Sequence, residues 1–162
     1  MKPASFDYIR PGSRAEILAA LAAHGDDGKI LAGGQSLVAA MNFRLARPEV
    51  LIDINGTKDL DYLQPSGDSL AIGALTRHAA FHKPVVDGPL GLLLAKVVRN
   101  IAHYPIRQRG TFTGSLAHAD PASEWCLVAT TLDAEMLIVN ADGERRCRAG
   151  EFFKGTFTTA VG

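Results

Sequence analysis

The chain reads as an α+β protein of two subdomains, a small βαβ-type unit over 1–55 and a strand-rich unit with flanking helices over 56–162. Three observations predict this. Up to Ile54, short apolar runs of strand length alternate with a stretch of helical periodicity. After Asn55-Gly56 the spacing changes to short strands separated by turn residues. Each half also carries a glycine-bearing segment free of charged residues, Ala32-Gly33-Gly34-Gln35-Ser36-Leu37 and Gly110-Thr111-Phe112-Thr113-Gly114-Ser115-Leu116. A ligand shared by the two would lie between the halves, a common place for a cofactor.

In order, Phe6 to Ile9 reads as a strand broken by Pro11-Gly12, and Ser13 with Glu16 forms a capping box. Ile17, Leu18 and Leu21 share one face of the helix that follows, which Gly25 and Asp26-Asp27-Gly28 end. Lys29 to Ala32 is a strand running into the first glycine segment, Leu37 to Phe43 a short helix, and Val50 to Ile54 a buried strand that closes a β-α-β-α-β unit. Beyond it, strands are expected over Leu60 to Leu63 and Ser69 to Ala74, with Pro65-Ser66-Gly67-Asp68 as the turn. Thr76 is placed to start a helix through His82. A second helix covers Leu90 to Ile101, with Leu93, Leu94, Val97, Val98 and Ile101 as its apolar face, and Tyr104-Pro105 ends it. Asp120-Pro121 has the N-cap and N1 signature of a helix that offers Trp125, Leu127, Val128 and Leu132 to the core. Glu135 to Asn140 and Arg145 to Arg148 form a hairpin, and the aromatic stretch Glu151 to Phe157 follows.

Composition removes several classes of function. With 17 Lys+Arg against 17 Asp+Glu there is no long-range field to draw nucleic acid, although Arg99, Arg107 and Arg109 are a local exception. No apolar run approaches the roughly 20 residues that cross a bilayer, and the N-terminus has no apolar leader core. A cytoplasmic chain without a transmembrane segment is expected, with Cys126 and Cys147 as reduced thiols outside any metal-ligand spacing. His78 and His82 stand four apart, but no Glu follows His78 and no third ligand is evident, so no metal site is expected. Ser36 and Ser115 are not in GxSxG elbows, and no residue reads as a general acid or base, so no catalytic residue is assigned.

The glycine segments carry the chemistry. Glycine lets backbone come close to a ligand, so phosphate oxygens can be met by N–H groups instead of by cations. Strand, glycine segment and helix in that order aim helix N–H groups at an anion. The dull alternative, a simple turn, applies to either segment taken singly, and neither matches GxGxxG. Gly150 to Thr156 has Walker-like glycine spacing without the required Lys. Asp120 reads first as a helix cap beside Pro121 and second as a sugar ligand, and Glu124 reads equally as a ribose or ribityl ligand or a dipole-stabilising acid.

Taken in order, these segments together with Arg44-Leu45-Ala46-Arg47-Pro48, Leu51-Ile52-Asp53-Ile54-Asn55, Ile72-Gly73-Ala74-Leu75-Thr76-Arg77-His78, Ile106-Arg107 and Ala117-His118-Ala119-Asp120-Pro121 resemble the FAD-binding medium subunit of molybdenum hydroxylases. That family includes the carbon monoxide dehydrogenase medium subunit and the xanthine dehydrogenase flavin domain. The resemblance covers essentially the whole chain. It implies the two-subdomain PCMH/VAO-type FAD-binding fold, with Ile30, Leu31, Ala32, Gly33, Gly34, Gln35, Ser36 and Leu37 and the loop Thr111, Phe112, Thr113, Gly114 and Ser115 around the pyrophosphate. Ile101 and Glu124 would also touch FAD, with Gly73, Ala74, Thr76, Gly110 and Asp120 as further contacts.

The same resemblance implies electron transfer from [2Fe–2S] clusters to FAD and on to an acceptor. Two cysteines are too few to hold such clusters, which places them on a small subunit partner beside a molybdopterin-binding large subunit. Two departures from the family pattern motivate an alternative, a truncated non-catalytic homologue that acts as a scaffold or binds FAD weakly. Thr113 stands where the family has glycine, and the family continues into a further C-terminal domain after the segment that ends here at Gly162, so a fragment or a decayed subunit is expected.

Overall fold

The computed structural model describes residues 1–161. Its first unit is β1 (Asp7–Ile9), α1 (Arg14–His24), β2 (Gly28–Leu31), α2 (Leu37–Asn42) and β3 (Val50–Asp53). The three strands form one parallel sheet in the order β1-β3-β2, with Leu51 between Tyr8 and Lys29. The central strand is buried along its whole length, which is why Val50-Leu51-Ile52 is a continuous apolar run. At the start of α1 the Ser13 hydroxyl accepts from Glu16 N–H, and the Glu16 carboxylate returns a bond to Gly12 N–H at 2.8 Å, one residue earlier than in an ideal box. Gly25, at φ 50°, closes the helix by donating to Leu21.

The second unit contains β4 (Leu63–Ser66), β5 (Ser69–Ile72), α3 (Pro89–Val97), α4 (Tyr104–Arg109), α5 (Phe112–His118), α6 (Glu124–Thr131), β6 (Glu135–Asn140), β7 (Gly143–Arg148), α7 (Ala149–Phe152), β8 (Phe153–Gly155) and β9 (Thr158–Thr159). The strands form two-stranded antiparallel pairs, β4 with β5, β6 with β7 and β8 with β9.

Several expected elements shift, each for a visible reason. Residues 58–60 form a 3-10 turn, and β4 starts at Leu63 and includes Pro65, which a two-stranded ribbon accommodates because every strand in it is an edge. Thr76 does not start a helix. Its hydroxyl donates to Tyr62 C=O at 2.8 Å, and Arg77 stays extended beside Thr111 before a 3-10 turn over His78–His82. The helix expected through Ile101 is α-helical only to Val97 and then tightens into a 3-10 turn. Tyr104-Pro105 opens α4, with Pro in the first turn, where its missing N–H costs nothing. The second glycine segment is the start of α5 and not a loop. Asp120 caps no helix: its carboxylate accepts from Ala122 N–H in a turn, and Ser123 holds the N-cap position of α6.

Two apolar cores result. The first packs Ile17, Val50, Ile52 and Ile54 with Leu75, and Leu60 lies against them. The second centres on Trp125 and Phe81, both fully buried, with Phe112 stacked on Trp125 at a centroid distance of 4.8 Å. Of the residues α6 offered to the core, Trp125 and Val128 are inside while Leu127 and Leu132 are exposed, as is Leu93 on α3. Cys126 and Cys147 are buried free thiols, and no helix among the described residues is long and apolar enough to cross a membrane.

His78 ties the second core together. Its Nδ1 accepts from Trp125 Nε1–H at 2.9 Å. Burial first, then the charges of Arg77 and Arg107, lower its pKa to about 4, so the imidazole is neutral. His82 instead accepts from Arg107 Nε–H at 3.0 Å, so the two histidines serve different partners. Among the described residues no cluster of His, Cys, Asp and Glu could hold a metal.

Trp125→Ala is expected to lower unfolding free energy by about 3–5 kcal/mol in urea titrations, because it empties the centre of this core. In the unfolded chain His78 titrates near 6.5 and in the folded chain near 4. Its contribution is therefore complete above pH 6.5 and is lost as pH falls toward 4, by a few kcal/mol at most. His78→Gln should flatten that part of a stability-versus-pH curve.

Candidate functional site

The two glycine segments meet directly. A Cβ on Gly33 would stand 2.5 Å from Arg109 O and 2.6 Å from Gly110 Cα, so the backbones touch where only glycine fits. Gly110 is pressed from its other side by the His78 ring, with Nε2 2.5 Å from where a Cβ would lie. Gly34 has φ +72°, the left-handed region, and turns the chain from β2 into α2. In α5 the Thr111 hydroxyl accepts from Gly114 N–H at 3.1 Å, and a Cβ on Gly114 would collide with that oxygen.

What remains around this seam is a set of donors. Among the described residues the N–H groups of Gly33, Gly34, Gln35 and Ser36 donate to nothing in the chain, and neither do those of Thr111 and Thr113. The nearby carbonyls are occupied. Asn55 Nδ2 donates to Ala32 O at 2.8 Å, Gln35 Nε2 to Gly33 O at 2.9 Å, and Arg77 to Arg109 O. A surface of free N–H groups with engaged C=O groups suits an anion, and the glycine contact brings the two donor-bearing segments together.

Thr113 does not strain the seam. It is helical, lies outside the positive-φ residues, and donates its hydroxyl to Ala74 O at 2.8 Å, joining α5 to the segment after β5. Position 113 therefore needs no positive φ.

The other expected contacts have varied settings. Gly73 is buried against Leu60 O, where a Cβ would stand at 2.3 Å, and donates to Tyr62 O. Phe112 turns its ring into the second core while its N–H donates to Thr76 O. Ile101 is buried, its N–H bonded to Val98 O and its carbonyl accepting from Arg107. Ile30 is largely exposed on β2, Leu37 opens α2, and Ser115 N–H is used inside α5. Glu124 stands partly exposed in the first turn of α6. Two clefts of about 410 and 350 Å³ lie elsewhere, one lined by His82, Lys83, Leu92, Lys96 and Arg99, the other by Leu18, Leu21, Ala22 and the 140–142 turn.

Sequence reasoning missed the side chains that join the segments, Asn55 and Arg77, although both lie inside the motifs quoted above. Arg77 donates to Asn55 Oδ1 at 2.5 Å. Asp53 Oδ1 accepts from Asn55 N–H at 2.9 Å, and its other oxygen accepts from Tyr8. Burial raises the Asp53 pKa, but the Tyr8 hydroxyl, the two Asn55 donors and Arg10 together outweigh it and hold the carboxylate below its usual range.

The chain belongs to the family of the FAD binding domain in molybdopterin dehydrogenase, which matches residues 4–162. It is 42% identical over 162 residues to the caffeine dehydrogenase subunit beta of Pseudomonas sp. (strain CBB1), covering 99% of this chain and 55% of that one. To the 6-hydroxypseudooxynicotine dehydrogenase complex subunit alpha of Paenarthrobacter nicotinovorans it is 44% identical over 161 residues, covering 99% and 54%. Its fold matches a chain of the carbon monoxide dehydrogenase from Hydrogenophaga pseudoflava that lacks the Mo-pyranopterin moiety, with a TM-score of 0.94 and 37% identity over 100% of this chain and 56% of that one. The chain thus spans about half the length of the curated relatives it matches. The mixed α+β fold is that of these FAD-binding domains, and FAD is its cofactor.

Gly33→Ala is expected to destabilise the chain by about 1–3 kcal/mol, because its Cβ would meet backbone that cannot move aside. Gly34→Ala should cost about 1 kcal/mol through its left-handed φ alone. Urea denaturation of the two variants checks both values.

Proposed function

We propose that this chain is the FAD-holding part of an electron-transfer subunit in a molybdenum hydroxylase-type dehydrogenase. The observation that carries the proposal is the direct contact of Gly33 with Arg109–Gly110, which joins the segment with free N–H groups at 33–36 to the one with free N–H groups at 111 and 113. The pyrophosphate of FAD would lie along this seam, between the subdomains 1–55 and 56–162, held by backbone donors and not by a cation. Residues 30–37 and 110–115 form its two walls. Gly73, Ala74, Thr76 and Ile101 support the second wall, and Asp120 and Glu124 offer carboxylates to sugar or ribityl hydroxyls.

Bound FAD would supply two-electron and one-electron redox chemistry, taking electrons from [2Fe–2S] clusters on a partner and passing them to an external acceptor. The residues of this chain bind and orient it, and none acts as an acid or base. The partners are a [2Fe–2S] small subunit and a molybdopterin-binding large subunit, in keeping with relatives named as subunits of dehydrogenases. Two buried, unpaired thiols fit a reducing cytoplasmic setting. Against the scaffold alternative, Thr113 shows no positive φ and has its hydroxyl bonded to Ala74 O.

The test is a visible absorption spectrum of the purified chain before and after addition of FAD and desalting. Flavin that stays with the protein, and is lost in Gly33→Ala, is the expected outcome. A folded wild-type chain that takes up no FAD would overturn the proposal.

A further inference from the structure

The seam's carbonyl oxygens are as important to an anion as its N–H groups, because an acceptor aimed at a phosphate repels it. Two of these oxygens, on Ala32 and Arg109, are engaged by two side chains. Asn55 Nδ2 holds the first, and one arm of Arg77 holds the second. The other arm of Arg77 donates to Asn55 Oδ1 at 2.5 Å, so the two side chains form one bridge from β2 to α4. Asp53 fixes the Asn55 end by accepting from both its backbone and its side-chain N–H. Arg109 O, which Arg77 holds, is also the atom that a Cβ on Gly33 would meet first.

We propose that Asn55 and Arg77 are a positioning pair for the pyrophosphate of FAD: together they turn carbonyl oxygens away from it, leave the N–H groups as the surface it meets, and set the affinity for it. This rests on the reading of the seam as the FAD site. The guanidinium suits the task because its planar fork serves two acceptors at once while keeping its charge, which a lysine ammonium does with less geometric control. The pair acts through the backbone and touches no reacting atom.

Arg77→Met, Arg77→Lys and Asn55→Ala, with the Arg77→Met/Asn55→Ala double variant, test this by titration with FAD followed by flavin fluorescence. Circular dichroism and thermal melting establish that each variant is folded. Arg77→Met should weaken FAD binding by about 10- to 100-fold, the effect of losing charge-assisted hydrogen bonds. Arg77→Lys should recover only part of that loss. The double variant should bind no more weakly than the weaker single one, because each single change already opens the bridge. The ³¹P resonances of bound FAD should move in Arg77→Met, a change that general loosening of the fold would not direct to the phosphates.

A folded Arg77→Met with wild-type affinity and unmoved ³¹P resonances would overturn the role of the pair while leaving the FAD site standing. Independent, additive losses in the double variant would also overturn it. A folded wild-type chain that binds no FAD would overturn the site itself, and the role of the pair with it.

Discussion

The structure depends on one backbone-to-backbone contact, that of Gly33 with the Arg109–Gly110 peptide. A side chain at position 33 would drive β2 and α4 apart, and with them the first unit from the second. Around this contact the chain is arranged in layers. The β3 strand and α1 hold β2 in place from one side. From the other, the His78 ring backs Gly110, and Trp125 backs His78. The second core therefore reaches the seam through a buried, neutral imidazole.

Polar side chains complete what the cores begin. Asp53, Asn55 and Arg77 run as a connected series across the junction, and each bond in it ends on a group that fixes backbone. Thr76 and Thr113 do the same on the far side, donating to Tyr62 O and Ala74 O. No buried side-chain polar atom among the described residues is left without a partner. The backbone N–H groups of Gly33, Gly34, Gln35, Ser36, Thr111 and Thr113 are without a partner among the described residues, and an unsatisfied donor there is useful to a ligand.

Helix ends divide the work differently from what local signals suggest. Pro105 begins a helix where a stop is expected, because α4 is needed to carry Arg109 and Gly110 to the seam. Asp120 makes a turn and leaves capping to Ser123, which lets α6 start at Glu124 and place Trp125 under Phe112. The first turn of α5 owes its shape to Thr111 and Gly114, an N-cap pair that the glycine-loop reading did not resolve.

The sequence by itself determined the mixed α+β class, the parallel βαβ-type unit, the β6–β7 hairpin and the two glycine segments as the place to look, because all of these rest on local signals: apolar runs, turn residues and glycine. The ordered motifs also pointed to the family. Local signals say nothing about which distant groups meet. Only the tertiary structure decided that Gly33 lies on Gly110, that Thr113 bonds Ala74 without strain, and that Leu127 faces solvent while Trp125 fills the core. Asn55 and Arg77, 22 residues apart, were legible as motif members but not as a bridge, since a side-chain hydrogen bond across that separation has no periodicity to betray it.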